Sequence, residues 1–180
     1  MPRLIAFLRA INVGGHTVKM ELLRSCFQEL GFENVETFIA SGNVIFDAPG
    51  QDTSTLEKTI QRKLHSSLGY EVATFIRTGP ELAALSLYRP FPLSQLETAT
   101  AFNVAFLSSP PTEAGMTRLM ALRNSIDDFH VHGREVYWLC HLKQSESTFS
   151  NAVLEKALGQ PSTLRGMNTI KKLAEKYPPA

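Results

Sequence analysis

The chain has few of the residues that mark disulfide scaffolds and metal or redox sites. It has only two cysteines among 180 residues, Cys26 and Cys140. Neither lies at the short spacing of a metal-binding or redox pair, and both fall within apolar patterns. We therefore predict two buried thiols and a reducing compartment.

An excess of charge of either sign is also missing. Eighteen Lys and Arg residues face seventeen Asp and Glu residues, which gives a formal net charge of +1. Without a basic field, nucleic acid is not an expected partner. No apolar run approaches membrane-spanning length, and the opening MPRLIAFLRAI lacks a small-residue cleavage site. We expect a cytoplasmic protein without a membrane partner, and its oligomeric state stays open.

The motifs that identify common enzyme classes are absent from the sequence. It contains no Ser-His-Asp order, reactive cysteine motif, paired acidic motif, P-loop or complete dinucleotide fingerprint. No catalytic residue and no cofactor is predicted, and the question of enzymatic activity stays open.

The first residues that are present alternate between strand and helix patterns. Leu4 to Ile11 is an apolar run of strand length, and apolar residues then recur at helical spacing until Gly31. Two β-rich runs begin at Val35 and Asn43. The short turn Ser41-Gly42 between them predicts a hairpin.

A second helix follows the hairpin. We predict that a capping box from Ser54 to Glu57 begins it and that Gly69 ends it, before a strand with the sequence EVATFI. The first half therefore has the order βαββαβ. A short extra helix is predicted to start at Thr78, with Glu81 as its capping partner.

The second half repeats this order. AFNVAFL predicts a strand, Ser109-Pro110-Pro111 opens a helix, and Gly133-Arg134 suits a two-residue hairpin turn. A helix ending at Gly159, a short strand STLR and a final helix capped by Asn168 complete the pattern.

These patterns predict an α+β protein of two tandem ferredoxin-like βαββαβ units with antiparallel sheets. Extra helices follow the first unit and end the chain. We place the first unit at 1–88, a linker at 89–100, where prolines interrupt any period, and the second unit with its C-terminal helix at 101–180.

The predicted topology brings polar residues of the first unit together. In a split βαβ arrangement the first strand lies beside the third and antiparallel to it, so the stretch NVGGH and the turn SGN share one sheet edge. The turn before the fourth strand should lie there too. Backbone donors and polar side chains at this edge suit a small anion. The candidate ligand-binding residues are Arg9, Asn12, Gly14, Gly15, His16, Ser41, Gly42 and Asn43.

Three stretches resemble the signatures of an uncharacterised family catalogued as domain of unknown function sixteen ninety-seven. LRAINVGGHTVKM, TFIASGNVIF and TLRGMNTIKKL are similar to its LRGINVGG, TYIQSGNVVF and TRNWNTVLKL. The resemblance spans nearly the whole chain. It implies a small bacterial-type α+β protein with paired ferredoxin-like units and no established activity.

The resemblance also places the family's recurrent polar residues on positions of this chain. They are Arg9, Asn12, Gly14, Gly15, Ser41, Gly42, Asn43, Arg165, Asn168 and Thr169. The chain departs from the signatures at Ala10, Phe38, Ala40, Gly166 and Met167.

A second anchor for an anion is a hypothesis at the final helix. Arg165, Asn168 and Thr169 would combine a guanidinium, a cap and a helix dipole. The alternative is an ordinary helix cap with an arginine paired to an acid. Likewise, the first glycine pair would serve only the turn if no ligand is bound.

Two function classes therefore remain open. One is a module that binds a small anionic ligand, and the other is a structural or protein-interaction module without one. A metal site formed by His130, His132 and Glu135 is the weaker interpretation, because the histidines share the face opposite the apolar one and are expected to lie on a wetter surface.

Overall fold

The chain divides into two compact units in a computed structural model that describes residues 1–9, 18–39, 42–50 and 52–179. Unit 1 comprises Met1–Ala84 and Leu173–Ala180, and unit 2 comprises Leu85–Lys172. None of the helices in the described part of the chain has the length and apolar character needed to cross a membrane.

Unit 1 contains the predicted βαββαβ order, and its sheet has the strand order β2-β3-β1-β4 with antiparallel pairing throughout. The central strand β1 ends earlier than predicted among the described residues. The elements are β1 (Arg3–Leu8), α1 (Met20–Glu29), β2 (Glu33–Thr37), β3 (Asn43–Asp47), α2 (Thr53–Leu68) and β4 (Thr74–Thr78).

The ends of the helices follow local chemistry. Gly31 and Gly69 have φ angles of 85° and 83°, as the predicted left-handed helix exits require. The predicted capping box at Ser54 is wrong. Asp52 is the N-cap instead, and its Oδ1 accepts a hydrogen bond of 2.9 Å from the backbone N–H of Thr55. The Asp52 carboxylate lies directly before the helix and can therefore accept from the free N–H groups of its first turn. Ser54 is already inside that turn and cannot act as its N-cap.

One face of this sheet packs against α1 and α2, and we call it the helix face. Alternate residues of β1 (Leu4, Ala6 and Leu8) join the core formed with both helices. The opposite, second face carries Ile5 and Phe7, and these side chains are fully buried as well. Both faces of the sheet are therefore covered.

A bulge in β2 decides which of its side chains reach the second face. Glu33 pairs with Asp47, but Glu36 pairs with Ile45, so β2 has one extra residue. Asn34 supplies it with φ at 49°, and its Nδ2 donates to Asp47 Oδ2 at 2.8 Å. The bulge leaves Val35 in the helix-face core and puts Glu36 in register with Ile45, whose side chain lies on the second face.

The C-terminal residues of the chain lie against this second face. The Tyr177 hydroxyl donates to Glu36 Oε2 at 2.7 Å, and its ring makes an edge contact with Phe38. The Arg3 guanidinium lies 5.9 Å from the centre of the same ring. Burial, followed by the bond to Glu36, raises the pKa of Tyr177 to about 12.

Unit 2 repeats the topology with the strand order β6-β7-β5-β8. A short helix occupies the stretch that was predicted as a linker, because Pro92 begins a turn that Leu93–Thr98 continues. The remaining elements are α3 (Gly79–Leu87), α4 (Leu93–Thr98), β5 (Ala101–Phe106), α5 (Glu113–Met120), β6 (Asp127–His132), β7 (Glu135–Cys140), α6 (Asn151–Leu158), β8 (Thr163–Gly166) and α7 (Met167–Lys176). Helices α3 and α7 each cross the boundary between the two units.

Several predicted details of these elements are confirmed. Thr78 and Glu81 form the reciprocal capping box of α3: Thr78 N donates to Glu81 Oε2 at 2.8 Å, and Glu81 N donates to Thr78 Oγ1 at 3.2 Å. Gly159 ends α6 with φ at 71°. Helix α5 begins later than predicted, at Glu113, because the Thr112 hydroxyl supplies its N-cap.

The hairpin of β6 and β7 has the predicted register. His130 pairs with Tyr137 and His132 with Glu135 around the turn at Gly133. The prediction that the histidine face is the wetter one is wrong at its centre, because Tyr137 is fully buried. Tyr88, which follows α3, covers this face: its hydroxyl lies 2.8 Å from His130 Nε2, and its ring stacks on His132.

The two cysteines are buried and unpaired, as predicted. Burial raises the pKa of the Cys140 thiol. A buried thiol held in its neutral form is a packing residue rather than a nucleophile.

The raised pKa of Tyr177 predicts a loss of stability in alkali. Its pKa exceeds the ordinary value of 10.0, so its contribution to the free energy of unfolding is complete below pH 10 and falls as the pH rises towards 12. Tyr177→Phe should remove this decline and lower the stability at neutral pH by about 1–3 kcal/mol. Urea denaturation and phenolate absorbance measure the two effects.

Tyr88→Phe is the matched control, because it removes a hydroxyl from the other sheet and should leave the late phenol titration in place. A titration that is the same in Tyr177→Phe and the wild type would contradict the assignment.

Candidate functional site

The end of β1 lies between two other segments at one edge of the first sheet. Leu8 N donates to Gly42 O, and Arg9 N donates to Ala73 O, both at 2.9 Å. The exit of the first strand therefore lies beside the entry of the third strand and the segment before the fourth, as the topology predicted. We call the described residues Arg9, Gly42, Asn43 and Ala73 the glycine edge.

The strand before the hairpin turn ends earlier than predicted. β2 ends at Thr37, and Phe38 N donates to Asn43 O at 3.1 Å. Gly42 is buried, and its φ angle of 81° is a left-handed conformation that favours glycine.

Asn43 is part of the hairpin's own structure. It is only 1% exposed, and its Nδ2 donates to Phe38 O at 3.1 Å. That carbonyl lies across the turn, so the Asn43 amide joins the two strands. Its side chain positions the turn backbone at the glycine edge.

The other first-unit candidates lie at or beyond the limits of the described chain. Arg9 is half-buried at the point where β1 ends. Asn12, Gly14, Gly15, His16 and Ser41 lie outside the described residues.

Arg165 lies in β8 of unit 2, as the predicted short strand STLR requires. It is 8% exposed, and its Nη1 donates to Thr163 Oγ1 and Leu164 O, both at 2.8 Å. Burial lowers the pKa of its guanidinium to about 10. The side chain belongs to the covered interior of the sheet, because Arg165 pairs with the fully buried Val104.

Asn168 is not the cap of the final helix. Helix α7 begins at Met167, directly after β8, so Asn168 lies inside its first turn and is exposed. Thr169 is half-buried in the same turn. The strand continues into the helix without the loop residue that an N-cap would need.

The histidine hairpin gives no metal centre. Within the described ranges, no cluster of three or more His, Cys, Asp or Glu side chains is arranged to hold a metal ion. Tyr88, which sequence reasoning did not single out, engages both His130 and His132. Its position two residues before Pro90, in an aperiodic stretch, gave no signal of this contact.

Sequence reasoning also missed a buried carboxylate. Asp127 is 2% exposed, and its two oxygens accept hydrogen bonds of 2.8 Å from Trp138 Nε1 and Ser147 Oγ. An acidic residue and a tryptophan on neighbouring strands, eleven positions apart in the sequence, carry no joint sequence signal. The bonds fasten the segment after β7 to the core.

Comparison with known proteins identifies the family of the chain. The chain belongs to the family described as "Protein of unknown function (DUF1697)", whose sequence model matches residues 1–137. The family predicted from the three motifs is therefore confirmed.

A solved structure of similar fold is that of the conserved bacterial protein SP0830 from Streptococcus pneumoniae. The two share 21% sequence identity with a TM-score of 0.75, and the alignment covers 98% of each chain. At this identity the likeness concerns the fold alone. Comparison with curated proteins gives no match.

The structural role of Asn43 can be tested separately from binding. Asn43→Leu removes the bond to Phe38 O and leaves that carbonyl without its amide donor, so the free energy of unfolding should fall by about 1–3 kcal/mol. Asn168→Leu, at an exposed asparagine, should change it by less than about 0.5 kcal/mol. Urea denaturation measures both, and equal stabilities of the two variants would contradict the assigned role.

Proposed function

We propose that this protein binds a small anionic ligand, bearing phosphate or carboxylate, at the glycine edge of the first sheet. The observation that carries the proposal is the pair of backbone bonds from Leu8 to Gly42 and from Arg9 to Ala73. They bring Leu8 and Arg9, which precede the segment INVGGH in the sequence, beside Gly42 of SGN and beside Ala73. Segments rich in glycine with exposed backbone N–H groups are common anion sites.

The charge of these segments supports an anion rather than a cation. Between Arg9 and Met20 the sequence has Arg9, His16 and Lys19 and no acidic residue. The hairpin sequence FIASGN also has none. A half-buried arginine is a strong partner for a phosphate or carboxylate because its guanidinium donates in a planar fork.

Each candidate has a distinct role in the proposal. Arg9 neutralises ligand charge, and Asn12 and Ser41 donate hydrogen bonds, with His16 as a further polar partner. Asn43 holds the turn together with the buried Gly42, and Gly14 and Gly15 give the ligand access to backbone N–H groups.

The cellular setting in the proposal is the cytoplasm. Two buried, unpaired cysteines accord with a reducing compartment. The formal net charge of +1 gives no general attraction to nucleic acid, which favours a small ligand.

A structural or protein-interaction module is the second candidate. It is favoured by the Asn43 amide, which bonds inside the hairpin, and by the left-handed Gly42, which the turn itself requires. In such a module the motif residues would only determine the shape of the turns and would contact no ligand.

A thermal-shift screen of nucleotides, sugar phosphates and sulfate separates the two candidates. A ligand at a hundred times its Kd should add about 2.7 kcal/mol of stability by mass action. We expect one anion class to raise the Tm of the wild type, and Arg9→Ala and Asn12→Ala to abolish the increase while remaining folded.

Arg24→Ala is the matched control, because Arg24 is an exposed arginine on α1 and should retain the full shift. If no anion raises the wild-type Tm, and Arg9→Ala and Asn12→Ala only melt earlier, the structural module replaces the binding proposal.

A further inference from the structure

The two helices that follow the fourth strands begin with different chemistry. Helix starts leave backbone N–H groups without partners inside the helix. Helix α3 supplies an acceptor from Thr78, which bonds to the N–H of Glu81. Helix α7 has no acidic side chain in its first turn, and Gly166 precedes it.

Strand register shows that Gly166 occupies the place of Thr78. In the first sheet Leu4 pairs with Thr78, and in the second sheet Asn103 pairs with Gly166. The central strands align as Ile5-Ala6-Phe7-Leu8 and Val104-Ala105-Phe106-Leu107, because Leu8 N and Leu107 N make the same bond to the turn before the neighbouring strand. Unit 2 thus has Gly166 at the position that the capping Thr78 occupies in unit 1, and Asn103 at the position of Leu4.

The asparagine introduced there has an unused donor. Asn103 is 6% exposed, and its Nδ2 has no hydrogen-bond partner among the described residues. A buried amide N–H without a partner lowers the stability of the fold. An acceptor from outside the chain would remove this loss.

The Asn103 amide lies beside an open position at the head of α7. A Cβ built on Gly166 would have Asn103 Oδ1 at 3.8 Å and, apart from chain neighbours, no other described atom within 4 Å. The atom nearest this position is the acceptor Oδ1. Because no hydrogen bond to a described residue holds the amide, a half-turn about its last torsion exchanges Oδ1 and Nδ2 and presents the donor beside the residue that precedes α7.

We propose that the head of α7, with Asn103 and Gly166, binds a small oxyanion such as a phosphate group. The Asn103 amide and the first N–H groups of α7 donate to its oxygens, and the glycine leaves room for them. Lys171 and Lys172, both exposed on α7, add positive charge near the helix start. This site lies in unit 2 and does not depend on the proposed function of the glycine edge.

Amide NMR of the whole chain, titrated with inorganic phosphate at constant ionic strength, tests the site. We expect saturable shifts of the Met167, Asn168 and Thr169 amides, with the Glu81 amide of the internally capped α3 unchanged. Asn103→Leu should weaken phosphate binding by about tenfold or more, because a donor to a charged group is lost. Ribose 5-phosphate binding more tightly than phosphate would identify a phosphate ester as the source of the anion, and equal binding would identify the free ion.

The variants separate this site from the glycine edge. Arg9→Ala should keep the shifts at α7, whereas Asn103→Leu should keep any shifts at Arg9 and Gly42. Asn103→Leu should remain as stable as the wild type or become more stable in phosphate-free buffer, because it removes a buried unpaired amide. Absence of saturable shifts at α7, or shifts of equal affinity in Asn103→Leu, would overturn the proposal.

Discussion

Burial of the second face of each sheet is the constraint on which the rest of this structure depends. A βαββαβ unit has two helices, and both pack on one face of its sheet. Here the other face carries fully buried apolar residues such as Ile5, Phe7 and Val104. If these side chains were exposed to water, each would contribute about 1.5–3 kcal/mol less to the free energy of unfolding. Additional segments must therefore cover both second faces, and the helices that follow β4 and β8 lead to them.

Helices α3 and α7 are each followed directly by a tyrosine. Tyr88 is the residue after α3, and Tyr177 is the residue after α7. Their hydroxyls bond to His130 and Glu36, which occupy equivalent register positions beside Tyr137 and Ile45. Each tyrosine covers the apolar face with its ring. Its hydroxyl forms a hydrogen bond to a residue of the edge strand, so this polar group is satisfied although the face is covered. Helix α3 begins in unit 1 and ends in unit 2, and α7 begins in unit 2 and ends in unit 1.

Local patterns predicted the parts of the fold that local physics decides. Apolar spacing, the glycine exits at Gly31, Gly69 and Gly159, and the Thr78–Glu81 box each act within a few residues, and the structure has them where expected. Errors arose where several equivalent residues compete for one role. Asp52 took the cap predicted for Ser54. Contacts such as Tyr88 with His130 join residues far apart in sequence, and no periodicity predicts them. For the same reason, topology predicted the adjacency at the glycine edge, but not that Asn43 and Arg165 are buried.

Amide hydrogen exchange on a chain shortened after Lys172 tests most directly whether the second face depends on its cover. This truncation removes Leu173 and Tyr177, both buried in unit 1. The account predicts that the amides of β1 and β3 lose most of their protection, while those of β6 and β7 retain it. Unchanged protection in β1 and β3 would contradict the account, because the first sheet would then be stable with its second face uncovered.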